Sequence, residues 1–515
     1  MLPDFRNEPL TDFSHPENRA AMEEALNKVK SELGRKYPVV IGGKRHDGPD
    51  YFKSINPARH AETVGEFTRG AKDMALAAIK SAVEAFESWR FVDPTERARY
   101  LLKAAAIMRR RKYEMAAWMV FEVSKSWAEA DGDVAEAIDF LEFYAREMMR
   151  LAAPQPVTPY PSEENELYYI PLGVCAVIPP WNFPCAIMVG MTSAAIVAGN
   201  TVVLKPASTA PAIAWKFFEI MEEVSLPAGV LNFLPGSGGA IGDAIVDHPQ
   251  TRLIAFTGSK EIGLRIQERA AKLNPGQIWI KRTILEMGGK DFILVDGSAD
   301  LDAAADGIVA SAFGFQGQKC SACSRAIIHE KVYDALVAKI AERAKKLKVG
   351  VPEDPAHNMG AVIDAAAYEK IYGYVELGRK EGKLVAGGNK GPATGYFIEP
   401  TVFADIKPDS RLAQEEIFGP VLAVIKCEDF DDGVHIANGT EYGLTGALYT
   451  RNRRHLERGR RELHVGNLYL NRKCTGALVG AQPFGGFNMS GTDSKAGGRD
   501  YLLLFTQAKS VAERF

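Results

Sequence analysis

Leu167-Tyr168-Tyr169-Ile170-Pro171-Leu172-Gly173-Val174-Cys175-Ala176-Val177-Ile178-Pro179-Pro180-Trp181-Asn182-Phe183-Pro184 opens a run that carries no charge until it passes Leu204. By hydropathy alone such a run is long enough to span a bilayer. Pro179, Pro180, Asn182, Pro184, Gly199 and Asn200 interrupt it and break any continuous helix. A buried strand (174–178), a loop, a helix and a second buried strand (201–204) account for it instead. The same alternation continues downstream, with apolar strands predicted at 230–234, 253–257 and 279–285 and helical patterns at 212–224 and 261–273. Apolar strands alternating with amphipathic helices imply a parallel sheet covered on both faces, which binds nucleotides at the carboxyl ends of its strands.

Upstream, residues 1 to about 50 read as a helical preface, amphipathic over 17–33, with a short extended piece at 39–41. Residues 73–153 are almost wholly helical in pattern. Asp93-Pro94-Thr95-Glu96 is a helix start, with Asp as cap and Pro in the first position. Downstream of Lys290 a second αβ series has strands at 292–295, 421–425, 447–450 and 467–470, and the stretch 378–401, with six glycines, reads as loop and turn. The segment 154–171 and the tail from 508 are strand-like and have no partner in either series. The fold class is therefore α/β, with more than one domain in 515 residues.

Composition excludes several functions. A net charge of −3 gives no electrostatic case for nucleic acid or an acidic membrane. The basic runs 109–112 and 451–461 fall in helical patterns and read as solvated faces. Six scattered cysteines suit a reducing cytosol, no secretory leader is evident at the start, and no metal is called for.

Gly314-Phe315-Gln316-Gly317-Gln318-Lys319-Cys320-Ser321-Ala322 places a cysteine between an Ala-rich helix and a strand, among small residues that let a ligand approach. A thiolate there is a strong nucleophile. Neither standard phosphate fingerprint holds: Gly236-Ser237-Gly238-Gly239-Ala240-Ile241 lacks the third glycine, and Leu264 stands where a P-loop needs lysine. Phe256-Thr257-Gly258-Ser259-Lys260 still puts a small-residue turn at a helix start, suited to pyrophosphate. Asn182 follows a strand and two prolines; an Asn there is most often a cap, and its amide can also donate to an oxyanion. Lys205 ends a strand at the ligand edge of the sheet. Glu286 lies between a strand and a Gly-Gly turn, and Glu136 sits among apolar residues on a helix.

Taken in order, Pro180-Trp181-Asn182-Phe183-Pro184, Lys205-Pro206-Ala207-Ser208, Glu286-Met287-Gly288-Gly289-Lys290, Gln316-Gly317-Gln318-Lys319-Cys320 and Glu416-Ile417-Phe418-Gly419-Pro420 resemble the aldehyde dehydrogenase superfamily over nearly the whole chain, from about residue 50. The resemblance implies Cys320 as nucleophile, Glu286 as general base and Asn182 as oxyanion donor. It implies NAD as cofactor, held by Ile178, Pro180, Trp181, Lys205, Ala207, Ser208, Gly242, Phe256, Gly258, Ser259, Ile262, Met287, Glu416 and Phe418. Family members selective for NAD commonly carry glutamate at the position of Ser208, so its absence leaves room for NADP.

Thr475-Gly476-Ala477 and Cys320-Ser321 are similar to the branch acting on L-glutamate γ-semialdehyde. Ser321, Gly476 and Ala477 would then hold the substrate carboxylate, with Phe183, Phe484 and Glu136 around the chain. A succinate-semialdehyde dehydrogenase would share every motif except 475–480, and a catalytically silent member would lose Cys320 or Glu286. The implied domains are a Rossmann-type NAD-binding domain (1–153 and 171–286), a catalytic domain (287–486) and oligomerisation segments (154–170 and 487–515), the last two pairing across a dimer interface. A cytoplasmic homo-oligomer acting on a small amino-acid semialdehyde is the resulting expectation.

Overall fold

The computed structural model describes residues 3–515. Two seven-stranded sheets organise them. In the first, Arg282–Glu286, Thr251–Thr257, Val174–Ile178, Thr201–Leu204 and Leu231–Phe233 run parallel, in that spatial order. Val39–Ile41 and Lys44–His46 extend it antiparallel. The two strands flanking the uncharged loop thus lie side by side, Val174 opposite Thr201 and Val177 opposite Leu204. Their side chains are almost wholly buried, as two-sided coverage requires. Among the described residues no helix is long and apolar enough to cross a membrane.

The second sheet orders Thr401–Ala404, Val421–Cys427, Arg325–His329, Phe292–Val295, Thr445–Tyr449 and Asn467–Leu470 in parallel. Its outer strand, Lys383–Ala386, is antiparallel and falls inside the glycine-rich stretch read as loop. Four residues with an exposed lysine carry too little apolar pattern to stand out. The strands Arg35–Tyr37, Tyr51–Ile55 and Thr63–Thr68 form a separate small sheet that the sequence pattern also conceals. The expected strand at 279–285 starts only at Arg282, because Ile278 and Ile280 project into solvent, 85% and 87% exposed.

The helical block resolves into Lys72–Trp89, Pro94–Arg110, Lys112–Val123 and Trp127–Ala152. Asp93 caps its helix by accepting from the Thr95 N–H at 2.8 Å. The long helix Trp127–Ala152 packs on Pro94–Arg110 and on Ala186–Val197, which carries it beneath the uncharged loop. In the basic run 109–112, Arg109 and Arg110 are exposed as expected, but Lys112 is buried and reaches Asp131 at 2.9 Å, while Arg109 and Arg111 pair with Glu8 and Glu223.

The two segments expected to pair across a dimer pair instead with each other. Glu163–Pro171 and Thr506–Arg514 form an antiparallel ribbon within the chain, in register from Arg514–Glu163 to Thr506–Pro171. The stretch before that strand packs inward: Ser490 and Ser494 are buried, and Tyr501, Leu502 and Phe505 join the core beneath the first sheet.

Candidate active site

The carboxyl ends of Val174–Ile178 and Thr251–Thr257 open into a cavity of about 410 Å³. Pro179, Pro180, Trp181, Ala207, Phe256, Gly258, Ser259, Ile262, Met287, Glu416 and Phe418 line it, with Asn182 and Cys320 at one end. Most of the expected cofactor residues are thereby brought together. Ile178, Lys205, Ser208 and Gly242 do not line it and lie further along the same sheet edge and its following turns. Lys205 is buried, and its Nζ has one contact, the Pro206 carbonyl at 3.3 Å; burial lowers its pKa to about 8. Ser208 donates to the Gly236 carbonyl at 3.2 Å. Ile363, Asp364, Ala367 and Lys370 complete the wall, and no sequence signal pointed to them.

Ser259 caps Lys260–Ala271, accepting from the Ile262 N–H, so the first amides of that helix face the cavity's edge. On the far side Glu416 accepts from the Gly289 N–H at 3.0 Å. A Cβ on Gly288 would stand 2.3 Å from Glu416 Oε2, so only glycine lets this carboxylate come so close.

A second, narrow cavity of about 40 Å³ meets the first at Thr257, Met287 and Cys320. Glu286 and Phe484 line it, with Phe140, Tyr144, Ile187 and Tyr501. Cys320 therefore stands where the larger cavity and the narrow one, partly lined by aromatic rings, join. Burial, followed by the carboxylates of Asp291, Glu416 and Glu286, pushes its thiol pKa well above the ordinary value. Glu286 is raised to about 8, chiefly by burial, against the hydrogen bond from Ser494 Oγ. Its Oε2 is buried and has no partner.

The nucleophile's loop is held in an uncommon shape. Phe315 and Gln316 have φ of 48° and 57°, left-handed values that cost side-chain-bearing residues energy. Gln316 Nε2 donates to Ser124 O (3.0 Å) and Ala361 O (2.9 Å), and Gln318 Oε1 accepts from Ile363 N at 2.9 Å. Asn182 donates its amide to Gln318 O at 3.0 Å, and the Cys320 N–H has no acceptor among the described residues. Sequence reading gave these glutamines no role, although both stand inside the quoted motif.

Around the other end, Lys125 and Asp133 form a fully buried ion pair at 2.8 Å. Asp133 also accepts from the Ala186 N–H, fixing the turn that carries Asn182. Lys125 Nζ stands over the rings of Phe183 (4.0 Å) and Phe315 (4.5 Å). Lys319 pairs with Glu129 at 2.7 Å, and Glu136 is raised to about 8 by burial and then by Asp133. Glu136 and Phe183 thus stand in a charged vestibule, not in either cavity. Lys319 and Glu129 are distant in sequence, and their pairing could not be read from spacing.

Ser321 and the segment 475–477 meet through Cys474, whose Sγ donates to the Ser321 carbonyl at 3.5 Å. Arg472 donates to the carbonyls of Thr475 and Gly476, and the Gly476 and Ala477 N–H groups have no acceptors among the described residues. Such adjacent free amides suit a carboxylate.

Residues 44–511 match the model of the aldehyde dehydrogenase family. The chain belongs to the aldehyde dehydrogenase family. A 1-pyrroline-5-carboxylate dehydrogenase of Geobacillus kaustophilus is 59% identical over 515 residues, all of both chains. The crystal structure of a Thermus 1-pyrroline-5-carboxylate dehydrogenase with bound NAD superposes with a TM-score of 0.98, at 52% identity and full coverage of both chains. A betaine aldehyde dehydrogenase from Staphylococcus aureus in complex with NAD+ is more distant: TM-score 0.89 and 27% identity, covering 96% of this chain and 97% of its own. The aldehyde dehydrogenase resemblance read from the five motifs is thus borne out at the level of family and fold.

Proposed function

We propose that this chain oxidises L-glutamate γ-semialdehyde, the open form in equilibrium with 1-pyrroline-5-carboxylate, to L-glutamate with NAD. The observation that carries the reading is the position of Cys320 at the meeting of two cavities, with Glu286 facing it. Full-length similarity to relatives named for that substrate supports the choice of aldehyde.

The residues present fit a dinucleotide. The cleft offers capped helix amides at Ser259, an apolar wall made by Trp181 and Phe418, whose rings meet edge to face at 5.5 Å, and the Glu416 carboxylate as acceptor for ribose hydroxyls. Bound there, the dinucleotide supplies the hydride acceptor. Serine at 208 carries no charge to repel a 2′-phosphate, so NADP is tolerated beside NAD.

In this reading Cys320 gives its proton to solvent water and the thiolate attacks the aldehyde carbon. The Asn182 amide and the Cys320 N–H stabilise the alkoxide. Hydride departure leaves a thioester on Cys320. Glu286, in its ionised form, takes a proton from water, whose attack releases glutamate and the thiol. Ser321 and the amides of Gly476 and Ala477 hold the α-carboxylate, Glu136 faces the ammonium, and Phe183 and Phe484 flank the methylene chain.

A single turnover by the Glu286→Gln variant tests this. Intact mass should show an adduct of glutamate less one water, and digestion should place it on Cys320. No adduct, or one elsewhere, would contradict the scheme. A homo-oligomer belongs to the same proposal: the protruding ribbon and the exposed Leu273, Ile278 and Ile280 leave apolar surface uncovered. Light scattering should report a dimer or larger. The free cysteines favour a reducing, cytoplasmic setting.

A further inference from the structure

The chain's first described residues do not trail off into solvent. They form an arm laid across two elements of the vestibule: the helix Trp127–Ala152, which carries Glu136, and the loop that carries Gly476 and Ala477. Asn7 is the joint. Its single Nδ2 donates to Asp139 Oδ2 at 2.8 Å and to the Val479 carbonyl at 3.0 Å. The Glu8 N–H donates to the other Asp139 oxygen at 2.6 Å, so both oxygens of a nearly buried carboxylate are spent on the arm. Four residues on, Thr11 donates its N–H and hydroxyl to Asp131, and Lys112 closes that end.

Phe5 supplies the apolar half. Its ring meets Phe143 edge to face at 5.1 Å, and its Cε1 would stand 3.2 Å from a Cβ placed on Gly480. The arm thus underlies the turn that ends the loop. On the far side that turn is tied to the rest of the chain by Gly480 N–H to Gly497 O at 2.9 Å, and it closes on itself through Leu478 O, which accepts from the N–H groups of Ala481 (3.1 Å) and Gln482 (2.9 Å). Between its root at Cys474 and that turn, the loop's own hydrogen bonds are few: Arg472 to Thr475 and Gly476, and Leu478 N–H to Gln482. Free amides recognise a carboxylate well only when they are held in place beforehand.

We infer that Asn7 is a positioning residue for substrate recognition: by bridging Asp139 and Val479 it sets the loop amides at a fixed distance from the helix bearing Glu136. This rests on the proposed role of Gly476 and Ala477. It goes beyond that role in making the N-terminal arm part of specificity. Asn7 touches neither cavity and takes no part in bond making.

The test is Asn7→Ala in the full chain, assayed with NAD on L-glutamate γ-semialdehyde and on propanal. Losing one bridging amide should raise KM for the semialdehyde about three- to tenfold with kcat little changed, and leave propanal kinetics untouched. Phe5→Ala should act in the same direction. Combined with Gly476→Val, the Asn7→Ala effect should shrink, because a displaced loop no longer benefits from being positioned. A fall in kcat for both aldehydes, or a lowered Tm with unchanged kinetics, would make the arm merely structural and overturn the inference. Should Gly476→Val itself penalise both aldehydes equally, it is the recognition loop that has failed. A carboxylate-selective Gly476→Val effect with none from Asn7→Ala would refute the arm alone.

Discussion

Ser494 donates its hydroxyl to one carboxylate oxygen of Glu286, while the other oxygen is buried and bare toward the cavity shared with Cys320. One oxygen is thus anchored and one is left to meet water. The hydrogen bond favours the ionised form and opposes the burial that raises Glu286 to about 8. Ser494→Ala should therefore raise this pKa by about one unit or more, a charge-assisted bond being worth roughly 1.5–3 kcal/mol. The alkaline shift of the pH–kcat profile measures it; an unmoved profile would detach Ser494 from the base.

Glu286 must be ionised to accept a proton from water. Its raised pKa makes the acid form prevail below about pH 8, so thioester hydrolysis should climb with pH and level above that value. Glu286→Gln should remove this limb. Stopped-flow traces should show one burst of reduced cofactor and then slow turnover. Loss of the burst as well would place Glu286 in the acylation step.

Cys320→Ala should lower dehydrogenase activity by roughly a thousandfold or more and leave cofactor affinity intact. Cys323 offers no substitute: it is 1% exposed, and its Sγ is turned to the Arg325 carbonyl at 3.5 Å. Peroxide treatment followed by peptide mass spectrometry should accordingly show oxidation at Cys320 without a Cys320–Cys323 crosslink.

Gly476 has a φ of 78°, and a Cβ there meets nothing nearer than Lys473 Cε at 3.5 Å. Valine is excluded by backbone conformation, not by crowding, and would force the loop out of its shape. Losing one or two charge-assisted bonds should reduce kcat/KM for the semialdehyde by about tenfold to a few hundredfold. Propanal, without a carboxylate, should be spared. Comparison of the two substrates decides it.

The parts of the fold readable in sequence are those where burial is two-sided. Val174–Ile178, Thr201–Leu204 and Phe292–Val295 were fixed to the residue by their apolar runs. Lys383–Ala386 and Tyr51–Ile55 escaped because outer strands carry mixed polarity, and Ile280 misled because apolar side chains also face solvent. In the site, residues inside motifs were legible: Cys320, Glu286, Asn182 and Glu416 do converge. Their supports were not. Ser494, Gln318 and the Lys319–Glu129 pair act across long sequence separations, and only the folded chain places them. The expectation of a cross-dimer pairing failed for a related reason: two strand segments lacking other partners had each other.

The most direct test of the whole account is kcat/KM on a panel of aldehydes, namely L-glutamate γ-semialdehyde, succinate semialdehyde and propanal, each with NAD and NADP. Recognition of the α-carboxylate and ammonium by Ser321, Gly476, Ala477 and Glu136 predicts that L-glutamate γ-semialdehyde leads with NAD by about tenfold or more over both others, with measurable turnover on NADP. Equal or greater efficiency on succinate semialdehyde would contradict it.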